Sequence, residues 1–125
     1  MLSVEDFNAF CGSLPATAYV MQWGGSHVWK VGGAKGKVFA IGGWDKGIHP
    51  GITFKVSEIA YEILRDAPGL RPAPYLASRG MKWIQHYDEP GLPDDELKDY
   101  IAESHRLAAA NLTKKLQKEF GLYQD

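Results

Sequence analysis

The stretch AYVMQWGGSHVWKVGGAKGKVFAIGGWDKGIHPGITFKV, Ala18 to Val56, decides the fold. Four short runs rich in Val, Ile, Phe, Tyr and Trp are separated by GGS, GGAKG and GGWDKGIHPG, a spacing that predicts an antiparallel meander. Side chains alternate between the two faces of a strand. Trp29 and Val31 therefore share one face, and Val28 and Lys30 the other. Further on, Ile52, Phe54 and Val56 alternate with Thr53 and Lys55. One face is expected to pack on helices, and the other to carry Lys30 and Lys55.

Working outward from the meander, the period changes to that of a helix. Before it, Ser3 and Asp6 form a capping pattern, and Val4, Phe7, Phe10, Cys11 and Leu14 recur at helical spacing up to about Gly12, with Pro15 as the stop. After it, Ser57 caps EIAYEILRD, whose buried stripe reads as Ile59, Ala60, Ile63 and Leu64. The run MKWIQHY is a further strand candidate. Asp94, Asp95 and Glu96 then open a last helix of roughly two dozen residues, with a possible break, along a stripe of Leu97, Ile101, Ala108, Leu112 and Leu116. Lys114, Lys115 and Lys118 fall near its end, as the helix dipole prefers. The expected architecture is α+β: one domain over residues 1–125, with an antiparallel sheet and N-terminal, middle and long C-terminal helices packed on one face.

Composition limits the function classes. The 125 residues are 45% hydrophobic and 23% charged, which suits a folded domain. The apolar runs are too short to span a bilayer, and the acidic start MLSVEDFNAFCG is unlike a signal peptide. A single cysteine, Cys11, excludes an internal disulfide and a multi-cysteine zinc site, so a cytoplasmic protein is expected. The net charge of −1 argues against coating of nucleic acid by bulk electrostatics. Its distribution is uneven. Lys30 to Lys82 holds nine Lys/Arg against four acids, and Trp83 to Glu103 holds seven acids against Lys98 alone.

Two basic groups are candidates for contact. Lys30, Lys35 and Lys37 belong to one hairpin, with Lys55 on a nearby strand; singly, each also suits a solvated strand face. The segment PGLRPAPYLASRGMKW, Pro68 to Trp83, interleaves Arg71, Arg79 and Lys82 with Tyr75 and Trp83. Cations there suit phosphates and aromatics suit base stacking. The competing reading makes PGLRPAP a helix stop and stiff connector, with Arg71 on the carbonyls that end the preceding helix and the aromatics in the core. Trp44, in a glycine-rich turn, is the aromatic best placed to meet a protein or small-molecule partner.

Catalytic and metal patterns are missing from the sequence. His27, His49, His86 and His105 lie on different elements and form no ligand pair; His86 with Asp88 and Glu89 is the one local grouping of ligand character. Ser26 and Ser57 lack a nucleophile-elbow context, and GGAKGK lacks the end of a phosphate loop. Cys11 falls on a buried stripe and reads as an inert thiol. No enzyme, cofactor or metal is expected.

Several pieces in order resemble the MmcQ/YjbR family: FCGSLPAT, VWKVGGAKGKVFAIGG, ITFKVSEIAYEILRDAPGLRPAPYLASRGMKWIQ and GLPDDELKDYIAESHRLAAANL. The resemblance implies a small bacterial protein with a CyaY-like fold, and DNA binding through a double wing of strands. The glycine-rich link GGAKGK is longer than the family pattern and adds a basic residue to one wing tip. Iron binding, an activity of frataxin-like relatives, does not carry over, because the first helix offers only Glu5 and Asp6. The expected role is weak DNA binding by a non-enzymatic module through a basic sheet and hairpin surface. The alternative is a protein- or small-molecule-binding module that uses exposed aromatics.

Overall fold

The computed structural model describes residues 2–22, 24–43 and 51–123. The meander forms as β1 (Thr17–Gln22), β2 (Ser26–Val31), β3 (Lys37–Gly42) and β4 (Ile52–Lys55). Two further strands, β5 (Leu70–Pro72) and β6 (Trp83–His86), complete an antiparallel sheet of order β1-β2-β3-β4-β6-β5. The register sets Trp29 opposite Ala40, and Lys30 opposite Val38. Phe39 is thus an extra residue on β3, a bulge that turns both Phe39 and Ala40 toward the helices.

Helix α1 (Val4–Ser13) starts where the Ser3 hydroxyl accepts from the Asp6 amide at 3.0 Å. The long last element is two helices, α3 (Asp94–Ala109) and α4 (Lys114–Glu119). Between them the Gln117 amide donates to the Ala110 and Leu112 carbonyls, satisfying groups that the break leaves open. The main core lies between α1, α3 and the sheet, around Phe7, Cys11, Phe39, Phe54, Ile84, Leu97 and Ile101. Ser104 on α3 fixes the end of β4, its hydroxyl 2.5 Å from the Lys55 carbonyl oxygen. Gly42 is required by close packing, since a Cβ there would sit 2.7 Å from the Phe7 ring.

Three expectations are corrected. Helix α2 (Glu58–Leu64) buries Tyr61 and Leu64, and leaves Ile59 76% and Ile63 65% exposed. The large Tyr61 ring sets the rotation of this seven-residue helix, with the Lys82 ammonium 4.6 Å above its centroid. Within PGLRPAP, Leu70–Pro72 is an edge strand on β6, where a proline is tolerated, and is more than a connector. The second sheet face is also partly covered. Residues 73–82 cross it, a 3-10 turn at Ala77–Arg79 among them, and Leu76 and Ala73 close a small core over Val28, Ile41 and Trp83. This explains why Val28 and Ile41 are buried on the face away from the helices. No helix among the described residues is long and apolar enough to cross a membrane.

Candidate functional site

Strand order determines where the charges lie. Lys37 is the first residue of β3, Lys55 the last of β4, and Lys82 immediately precedes β6. These strands are neighbours, so the three lysines line one end of the sheet across about 10 Å. The β2–β3 turn, with exposed Lys35 at its tip, lies at the same end. Helix α4 packs there too: Cβ atoms built on Gly32 and Gly33 would meet Leu112 and Phe120. That contact brings the exposed Lys114, Lys115 and Lys118 to the basic end. Sequence reasoning assigned those three only to a helix dipole; their share in this surface depends on a turn-to-helix contact distant in sequence.

The opposite end of the sheet is acidic. Asp88 and Glu89 follow β6, and Asp94, Asp95 and Glu96 form the first turn of α3. Phe7 against Gly42 places the start of α1, with Glu5 and Asp6, at that end as well.

At the basic end, Lys37, Val38, Lys55, Met81, Trp83, Ala108 and Asn111 enclose a cleft of about 210 Å³. The Lys55 ammonium lies 5.9 Å from the Trp83 ring centroid. Trp83 itself is 3% exposed, and its indole N–H has no hydrogen-bond partner among the described residues. The aromatic ring therefore forms a wall of the cleft rather than an open stacking platform.

The remaining candidates are dispersed. The Lys30 ammonium donates to the Ala34 carbonyl at 3.3 Å. Arg79 is exposed on the 3-10 turn over the second face. Tyr75, 75% exposed, adopts a left-handed backbone with φ of +68°, unusual for a bulky residue. Arg71 bonds to the neighbouring strand β6. Its Nε and Nη2 donate to the Gln85 Oε1 at 2.9 and 2.6 Å, and its guanidinium covers the Tyr87 ring. Gln85 in turn donates to the Thr53 hydroxyl at 3.2 Å. Arg71 thus ties β5, β6 and β4 together. Trp44 and His49 lie outside the described residues.

Among the described residues, no group of three potential metal ligands converges. His86 is buried at the end of β6, packed against Gly91, and is not turned to solvent beside Asp88 and Glu89. Burial raises the Cys11 thiol well above its ordinary range, which keeps it protonated and unreactive. A second polar group was not foreseen from sequence. Asn8 Oδ1 accepts from the Trp29 indole at 2.9 Å, and His27 Nδ1 lies 2.7 Å from the Tyr19 hydroxyl. Its sequence signal was the alternation of Tyr19, His27 and Trp29 on the helix-side face of β1 and β2, which shows no partner on α1.

Fold and surface together define a small α+β module with one basic and one acidic end. A sequence model of the YjbR family matches residues 12–107, and the chain belongs to that family. The crystal structure of Deinococcus radiodurans protein DR2400, with its DUF419 domain, superposes with a TM-score of 0.84. It is 24% identical in sequence, and the match covers 98% of this chain and 91% of that one. That likeness concerns the fold. No curated protein matches the chain.

Proposed function

We propose that this protein is a non-enzymatic module that binds duplex DNA weakly through the basic end of its sheet. The observation that carries the reading is the separation of charge. Lys35, Lys37, Lys55 and Lys82, with the lysines of α4, gather at one end, and Glu5, Asp6, Asp88, Glu89, Asp94, Asp95 and Glu96 gather at the other. Clustered cations on one surface are what phosphate neutralisation needs, and a near-neutral net charge keeps the affinity low. Acids at the far end repel the polyanion and so orient the encounter. Arg79 extends the surface over the second face. Because Trp83 is enclosed and Lys82 rests on Tyr61, the contacts are electrostatic, with little base stacking.

Titration of a fluorescent duplex at two salt concentrations tests this. For four neutralised phosphates, log affinity is expected to fall against log salt with a slope of about −3.6. Replacing Lys37, Lys55 and Arg79 by Gln is expected to weaken binding and flatten the slope. Absence of binding at low salt, or binding that the triple substitution leaves intact, refutes the reading.

A further inference from the structure

The cleft at the basic end has features that phosphate contact does not require. Its walls are partly apolar, from Val38, Met81, Ala108 and the Trp83 ring. Two lysines line it, Lys37 from the start of β3 and Lys55 from the end of β4. Lys55 is positioned from two sides, since its carbonyl is bound by Ser104 and its ammonium lies near the Trp83 ring. The Trp83 indole N–H is buried with no partner among the described residues. A buried donor left unpaired is costly, so such groups call for a reason. Met81, 40% exposed, stands beside Trp83, and its flexible side chain can move without disturbing the strands.

We infer that this cleft is a binding site for a small organic carboxylate with a flat apolar body. The two lysines hold the carboxylate, and the indole N–H supplies a third donor once Met81 shifts. Val38, Ala108 and the ring face cover the apolar part. A volume of about 210 Å³ is below the usual range for drug-sized ligands, and so selects a small acid. The amide of Asn111 at the rim adds a polar contact that a bare hydrocarbon would waste. This inference stands on the cleft alone and holds whether or not the basic end meets DNA.

Benzoate is the probe, titrated into nitrogen-15-labelled full-length protein at constant ionic strength, with the Trp83 indole resonance as the readout. A saturable shift of that resonance is expected, together with shifts at Lys37, Lys55 and Met81. The double substitution Lys37→Gln with Lys55→Gln is expected to weaken benzoate binding by about tenfold or more while leaving the melting temperature unchanged, because two charge-assisted contacts are lost. Benzamide, of the same shape without charge, is expected not to bind, and inorganic phosphate is expected to leave the indole resonance in place. An unmoved indole resonance with benzoate overturns the inference. So does benzamide or phosphate binding as well as benzoate, or a double variant that binds benzoate normally.

Discussion

The amide of Gln85 serves two partners at once, accepting from Arg71 and donating to Thr53, and it is 1% exposed. Truncation to alanine would remove the Gln85 acceptor from the Arg71 guanidinium and the Gln85 donor from the Thr53 hydroxyl. Gln85→Ala is expected to lower stability by about 1–3 kcal/mol, read from urea unfolding. A loss under about 0.5 kcal/mol, the range of ordinary surface changes, would contradict a structural role for Arg71. Sequence reasoning recognised that Arg71 had a structural alternative but did not foresee Gln85 as its partner. The helix end was adjacent in sequence, whereas Gln85 is brought alongside only by pairing of β5 with β6. Cys11 was easier to read, because a thiol on the apolar stripe of a helix is buried by the same periodicity that forms the helix.

At the scale of elements, the meander was legible because period-2 runs and glycine turns point to the same answer. Strand β5 was not, being three residues long and ending in proline. Helix α2 shows where periodicity fails. Ile59 with Ile63, and Ala60 with Leu64, are equally good i, i+4 pairs, and seven residues provide too few turns to choose between them. Packing of Tyr61 beneath Lys82 chooses, and the isoleucines face solvent. The double change Ile59→Lys with Ile63→Lys is accordingly expected to alter stability by less than about 0.5 kcal/mol per site in urea unfolding. A loss of about 2 kcal/mol or more would mean that this face is buried, as burial of an isoleucine is worth about 1.5–3 kcal/mol. The crossing segment over Val28 and Ile41 was equally hidden, since a 3-10 turn with few apolar residues carries no periodic signal.

Across the whole molecule, the sixteen residues of α3 run from the acidic end to the basic cleft, a distance of about 24 Å. The two charged runs were visible in the sequence as local excesses, but their opposition depends on strand order. Lys37, Lys55 and Lys82 come from separate segments, and only the adjacency of β3, β4 and β6 makes them a row. The lysines of α4 join them through the packing of Leu112 and Phe120 on the β2–β3 turn. The most direct measurement of the proposed role is a chemical-shift map recorded as short duplex DNA is added at low salt. The expected result is movement confined to Lys35, Lys37, Lys55, Arg79, Lys82 and the start of α4, reversed by added salt, with residues 88–99 unmoved. Shifts spread evenly over both ends, or an unchanged spectrum at low salt, would contradict the charge-separated binding surface.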